Sequence, residues 1–151
     1  MIKSVFHVNI NVTDFDRSLA FYQMLGFKII LNIGEGPNKA NDIGLNIPDS
    51  VGRAALLALS DDPRATRIDL IEWKHPMTEG ASYAHLYHTG INRLALFTKN
   101  LDEEYARLKA AGVEMVSEPV MMSAGKKAGA RFFCFKDPDG TFLELIEPFN
   151  K

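Results

Sequence analysis

Residues 4–12 alternate: His7, Asn9 and Asn11 fall on one face, and Phe6, Val8, Ile10 and Val12 on the other. A two-residue period is the mark of a strand, and the second face is a core face. Residues 14–25 predict a helix, with Thr13 or Asp14 as N-cap and Asp16 adding a favourable charge in the first turn. Its expected buried side is Leu19, Phe21, Tyr22 and Leu25, and Gly26 can end it in the left-handed conformation that suits a C-cap. Strands are predicted over 27–33, 41–47 (short), 54–59 and 66–73, with a turn at Asp61-Asp62-Pro63.

The pattern then begins again. A strand over 91–98, a helix over 101–111, Gly112, a strand over 113–117, a loop, and strands over 130–136 and 141–147 follow in the same order. Asp137-Pro138-Asp139-Gly140 separates the last two and reads as a hairpin turn. His7 and Arg93 lie 86 residues apart (93 − 7), as do Gly26 and Gly112 (112 − 26). The halves end alike, in Ile68-Asp69-Leu70-Ile71-Glu72 and Leu143-Glu144-Leu145-Ile146-Glu147. Each half reads strand–helix–strand–strand–strand, so the predicted class is α+β, with helices outside a curved sheet. The chain is expected to be one domain, 1–151, with module one at 1–73, a linker at 74–90 and module two at 91–151. Duplicated modules often build a site where the copies meet. The positions that break the symmetry, His7 against Arg93 and Asp69 against Glu144, are therefore the ones to question.

Composition narrows the functional classes. A chain of 151 residues can bury an adequate core without staples. The net charge is −2 and there is no basic run, which argues against nucleic acid as a partner. Lys126-Lys127 reads as a solvated loop. No apolar stretch approaches the length needed to span a bilayer, so no membrane role is expected. The amino-terminal segment patterns as a strand rather than a signal peptide. The single Cys134 cannot form an internal disulfide, and its apolar neighbours in Arg131–Phe135 suggest a buried small hydrophobe rather than a nucleophile. The expected compartment is the cytoplasm.

The motifs give a more specific reading. His7-Val8-Asn9-Ile10-Asn11-Val12-Thr13-Asp14, Ser18-Leu19-Ala20-Phe21-Tyr22 and Leu25-Gly26-Phe27 resemble the vicinal oxygen chelate superfamily, as does Phe135-Lys136-Asp137-Pro138-Asp139-Gly140-Thr141-Phe142-Leu143-Glu144-Leu145-Ile146-Glu147. That superfamily includes glyoxalase I, methylmalonyl-CoA epimerase, extradiol dioxygenases and the fosfomycin and bleomycin resistance proteins. The resemblance covers nearly the whole chain. It implies two βαβββ modules forming a half-open, barrel-like sheet with helices outside, around a divalent metal. It also implies a small-molecule substrate or ligand and a homodimer; Arg93, a local cation on a chain of net charge −2, points to an anionic ligand. Carried over position by position, the implied metal ligands are His7, Asp69 and Glu144. Arg93 stands where metal-binding members have His, and it cannot ligate a metal. Zn, Ni, Mn or Fe therefore meets a weakened site.

Each position also has a plainer reading. His7 could be structural, although its strand turns Asn9 and Asn11 the same way. Glu144 shares a face with Phe142 and Ile146, where a carboxylate is costly unless paired or ligated. Asp69 shares a face with Ile71 and Trp73, and a one-residue slip would exchange it with a neighbour. Glu72 and Glu147 have the opposite parity and are expected at solvent or an interface. Arg93 facing two carboxylates makes an ion cluster without a metal. Two unit charges ~4 Å apart interact by about 4 kcal/mol at an effective dielectric of ~20, so a divalent ion beside Arg93 would be repelled by about twice that. Arg93 could instead grip a substrate carboxylate. His75, His85 and His88 in the linker suggest solvent or a dimer surface more than a second metal site. The loop 121–129, with Met121 and Met122, could cover a cavity or simply be mobile.

Two functions follow from the resemblance. One is a glyoxalase-like enzyme of lyase or isomerase type, related to lactoylglutathione lyase and acting on vicinal oxygens. In it Glu144 and Arg93 are catalytic, and Asn9, Asn11, Trp73 and Arg93 bind substrate. The other is a metal-free protein that sequesters a ligand, as bleomycin resistance proteins do. Dioxygenase chemistry is disfavoured, because its iron needs two His and one carboxylate.

Overall fold

The computed structural model of the chain describes residues 1–124 and 128–150. It divides into two compact units, Met1–Gly80 and Ala81–Lys151. Unit 1 contains β1 (His7–Asn11), α1 (Phe15–Met24), β2 (Lys28–Pro37), α2 (Lys39–Gly44), β3 (Val51–Ala58) and β4 (Arg67–His75). Unit 2 contains β5 (Leu94–Phe97), α3 (Leu101–Ala110), β6 (Val120–Ala124), β7 (Ala128–Lys136) and β8 (Phe142–Asn150). Each unit folds into a mixed four-stranded sheet, ordered β1-β4-β3-β2 in the first and β5-β8-β7-β6 in the second. The outer pairs β1–β4 and β5–β8 are parallel and the rest antiparallel. The βαβββ order expected of each half is therefore present, on open rather than closed sheets.

The duplication extends to register. Asn9 lies opposite Asp69, and Ala95 opposite Glu144. The helices begin at Phe15 and Leu101 and end at Met24 and Ala110, so both ends keep the spacing of 86 (101 − 15 and 110 − 24). Each helix is also tied to its own sheet in the same way. Arg53 on β3 grips both oxygens of Asp16 at 2.6 and 2.8 Å, and Arg131 on β7 grips both oxygens of Asp102. Each arginine stands opposite a glutamate in its ladder, Glu72 or Glu147. The bidentate fork fixes where the first helical turn sits as well as adding attraction.

Packing follows from alternation. One face of the unit 1 sheet presents Ile10, Val12, Leu57, Ile68 and Leu70, all buried, together with Tyr22 of α1. In unit 2 the corresponding layer is Phe133, Phe135, Leu143 and Leu145, with Leu101 and Leu108 of α3. The buried stripe of α1 is Phe15, Ser18 and Tyr22, whereas Leu19, Phe21 and Leu25 are only half-buried. Phe15 is a core residue, and the Arg53 guanidinium lies over its ring, 4.4 Å from the centroid. Asp14 is the N-cap of α1 and accepts a hydrogen bond from the Arg17 amide at 3.0 Å.

Three segments depart from the sequence reading. Residues 41–47 do not form a strand. They belong largely to α2, which starts because the Asn38 side chain accepts from the amides of Ala40 and Asn41. Residues 113–117 make only an isolated bridge, Met115 to Phe135, and the second strand of unit 2 is β6. Met121 to Ala124, expected as loop, belong to β6 and pair with β7, whose first residues are Ala128 and Gly129, also expected as loop. Gly125, Lys126 and Lys127 lie outside the described residues, and with them the tip of the expected covering loop and the Lys126-Lys127 pair. The Asp137–Gly140 turn forms as expected: Asp137 Oδ1 accepts from the amides of Asp139 and Thr141, and Gly140 takes φ +85°.

Ile68 and Leu143 occupy matched, buried positions in the two modules. Ile68→Ala and Leu143→Ala should each cost about 2–5 kcal/mol of stability, measured by urea unfolding. A loss below roughly 1 kcal/mol at either would contradict the placement of that side chain in its core.

Candidate functional site

The face of each sheet turned away from its helix carries the expected site residues. In unit 1, β1 turns His7, Asn9 and Asn11 to this face, and β4 turns Asp69, Ile71 and Trp73 to it. The two strands are parallel and in register, which sets Asn9 beside Asp69 and Asn11 beside Ile71. The Asn9 side-chain amide donates to the Asp69 carbonyl at 3.1 Å. Asn11 Oδ1 accepts from the Trp73 indole N–H at 3.1 Å and so fixes the ring. Trp73 is buried, and its backbone is held by Thr78, whose hydroxyl accepts from the Trp73 amide at 2.9 Å.

Asp69 is the strained member of this face. Its Oδ1 is buried and has no hydrogen-bond partner among the described residues. Burial pushes its carboxyl pKa up, with His7 and Asn9 opposing the shift. A polar atom left in this state favours a bound proton or ligand that would satisfy it.

In unit 2 the same face presents Phe142, Glu144 and Ile146 of β8, flanked by Lys136, Cys134 and Phe132 of β7 and by Ala95 and Phe97 of β5. Glu144 is buried, with a side chain only 7% exposed. Arg93, just before β5, donates from Nε to Glu144 Oε2 at 2.7 Å. No other hydrogen bond of the Arg93 guanidinium is found among the described residues, and its side chain is 44% exposed. Cys134 stands opposite Glu144 in the ladder, with Sγ 3.9 Å from Glu144 Oε2. Burial first, and Glu144 second, push the Cys134 thiol up, which suits an inert residue rather than a nucleophile.

Unit 1 thus brings together His7, Asn9 and Asp69, and separately Asn11 and Trp73. Unit 2 brings together Arg93 and Glu144. Sequence reasoning missed Lys136, which shares the Glu144 face and holds Glu114 at 2.6 Å. Glu72, expected at solvent or an interface, instead lies on the helix side and accepts from the Phe15 amide at 3.1 Å. Glu147 likewise faces Arg131 at 3.7 Å. In the linker, the His85 and Tyr87 rings stack 4.9 Å apart, and His88 packs edge-on to both.

One of the four carried-over positions, Arg93, departs from the donor set of the superfamily's divalent ion. Within neither unit do three His, Cys, Asp or Glu side chains group as a metal site among the described residues. Arg93 has no lone pair to give, and it already engages the Glu144 carboxylate.

Comparison with known proteins agrees with this geometry. The profile of the Glyoxalase/Bleomycin resistance protein/Dioxygenase superfamily matches residues 4–145. With paired βαβββ units and that match over nearly its full length, the chain belongs to the superfamily. It is 28% identical over 149 residues to the uncharacterized protein YwkD of Bacillus subtilis, covering 97% of this chain and 98% of that one. A glyoxalase family protein from Bacillus cereus superposes with a TM-score of 0.84 at 19% identity, over 99% of this chain and 96% of its own. A superfamily member from Sphaerobacter thermophilus superposes at 0.63 with 26% identity, over 97% and 98%.

Burial of Asp69 has a consequence for stability against pH. A carboxyl whose folded pKa is raised stabilises the fold only while protonated, so that contribution is lost as pH rises above the unfolded value of about 3.9. Asp69→Asn should therefore be more stable than the wild type at pH 7, and the difference should vanish as pH falls below that value. Thermal unfolding of both proteins across the range checks this. A variant less stable than the wild type at pH 7 would show that ionised Asp69 is well satisfied.

Proposed function

We propose that the chain binds a small molecule carrying a carboxylate or adjacent oxygens, and that Arg93 recognises it without a resident metal. The supporting observation is the state of the Arg93 guanidinium. Glu144 anchors Nε, while the terminal nitrogens make no hydrogen bond among the described residues. A guanidinium held by one edge offers the other as a planar fork, matched in shape to a carboxylate or a pair of neighbouring oxygens. Because the chain carries a net charge of −2, attraction for an anion must come from such a local group. On this reading the protein resembles the members that sequester ligands, and we take it to act in the cytoplasm as a homodimer.

A second reading, a glyoxalase-like enzyme of lyase or isomerase type, draws support from the two open-face carboxylates. Glu144 would carry a proton to or from the substrate, and Arg93 would stabilise negative charge developing on a substrate oxygen. The unpartnered Asp69 Oδ1 is the observation in its favour. In that case His7, Asp69 and Glu144 are the residues that could hold a metal, against the opposition of Arg93.

A thermal-shift screen of small carboxylates, hydroxyketones and neutral aromatic compounds separates these outcomes from error. Carboxylates or hydroxyketones should raise Tm, and Arg93→Ala should weaken their binding about tenfold or more, as expected for the loss of a charge-assisted contact. If only neutral compounds stabilise the protein, and Arg93→Ala leaves their affinity unchanged, the recognition role is wrong. Turnover of a stabilising hydroxyketone would favour the enzyme. Elemental analysis after titration with Zn, Ni, Mn and Fe(II) should find less than one ion per chain, and Arg93→His should retain more. One tightly held ion per chain in the wild type would overturn the metal-free reading.

A further inference from the structure

The open face of unit 1 has a second feature, away from Asp69. Trp73 lies opposite Gly52, and Gly52 opposite Gly36; in the next row, Ile71 lies opposite Ala54, and Ala54 opposite Gly34. Three of these six positions are glycine and one is alanine, so the sheet carries few side chains beside the indole, and Ile47 packs against the Ala54, Ile71 and Trp73 cluster. The result is a recess of about 150 Å³ lined by Trp73, Ile71, Ala54, Gly52 and Asn41, among others. A Cβ on Gly52 would come within 3.3 Å of Trp73 Cε3, which makes a side chain at that position costly. The indole is pre-set, with its N–H held by Asn11 and its backbone by Thr78. Asn41 borders the recess, and its side-chain amide makes no hydrogen bond among the described residues.

We propose that this recess is a binding slot for a neutral planar six-membered ring with an amide-like edge, stacked on Trp73 and hydrogen-bonded by Asn41. The volume decides the size, since a cavity of about 150 Å³ accommodates a benzene-sized ring. The lining decides the chemistry. A sheet with few side chains and a fixed indole favour a planar ring, which can stack at little entropic cost. Asn41 offers one donor and one acceptor, the complement of a carboxamide or a lactam edge. Among the described residues no lysine or arginine lines the recess, so a phosphate or carboxylate gains nothing there. Glu35, which also borders the recess, stands opposite Arg53 in the ladder, on the helix side. This slot extends the small-molecule reading but does not depend on Arg93.

The chain contains one tryptophan, so its fluorescence reports on the slot directly. Benzamide should quench Trp73 saturably with a Kd on the order of 1 mM, as suits a fragment of that size. Cyclohexanecarboxamide, which has the same edge but no flat ring, should bind far more weakly. Asn41→Ala should raise the benzamide Kd about fivefold, the loss of one hydrogen bond. In an amide-resolved NMR titration of the wild type, Gly34, Gly36 and Gly52 should shift. Absence of saturable quenching up to about ten times that concentration, an equal response to the saturated analogue, or shifts that spare these glycines would overturn the proposal. Arg93→Ala should leave the benzamide response unchanged, so failure of the slot and failure of the Arg93 reading are told apart.

Discussion

A carboxylate in the middle of a sheet has to be answered, and Glu144 is answered by Arg93. Glu144 sits on the central strand pair of unit 2 between Ala95 and Cys134, neither of which can neutralise it. Its side chain is almost fully buried, yet its guanidinium partner is nearly half exposed. That asymmetry gives the pair its functional interest. The buried partner is fixed by the sheet, and it fixes Nε of the exposed one. The rest of the guanidinium is left as an oriented cation at the surface of the open face. A histidine here would offer a metal ligand; an arginine offers a charge and a fork of donors.

The two modules solve the same mechanical problem with the same parts and then diverge on the open face. In both, an aspartate in the first helical turn is gripped by an arginine whose ladder partner is a glutamate. In both, a parallel outer pair sets the open-face carboxylate, Asp69 or Glu144, in the same register. The divergence lies in what surrounds that carboxylate. Asp69 has asparagine and histidine neighbours and an oxygen without a partner among the described residues, whereas Glu144 has an arginine. Along the unit 1 face, side chains shrink to glycine and alanine beside Trp73, where the matching rows of unit 2 carry Ile146 opposite Phe132 and Pro148 opposite Ala130.

Much of this was legible in the sequence, for physical reasons that differ by element. Alternation in residues 4–12 put His7, Asn9 and Asn11 on one face of β1, and in 66–73 it put Asp69 with Ile71 and Trp73, an assignment that a one-residue slip would have reversed and that the register keeps. The offset of 86, read from His7 to Arg93 and from Gly26 to Gly112, recurs between the ends of α1 and α3. Other features were hidden. The run Phe132–Phe135 is apolar on both faces, so it gives no period, and Lys136 could not be assigned to the Glu144 face from it. The short helix α2 depends on the Asn38 cap rather than on any apolar stripe, and six residues are too few to show one. The strand β6 is recognisable only through its partner β7, since Met121 and Met122 carry no alternation of their own. The clamps joining Arg53 to Asp16 and Arg131 to Asp102 span 37 and 29 residues, beyond any local pattern.

The central claim is that Arg93 and Glu144 form a coupled pair that needs no metal to hold it. A double-mutant cycle of Arg93→Ala, Glu144→Ala and the double variant, measured by urea unfolding in the presence of a chelator, tests this most directly. The expected coupling is about 1–2 kcal/mol, less than a fully buried pair would give because Arg93 is partly in water. Additivity within a few tenths of a kcal/mol would contradict the claim, and a coupling that appears only when a divalent ion is restored would do so equally.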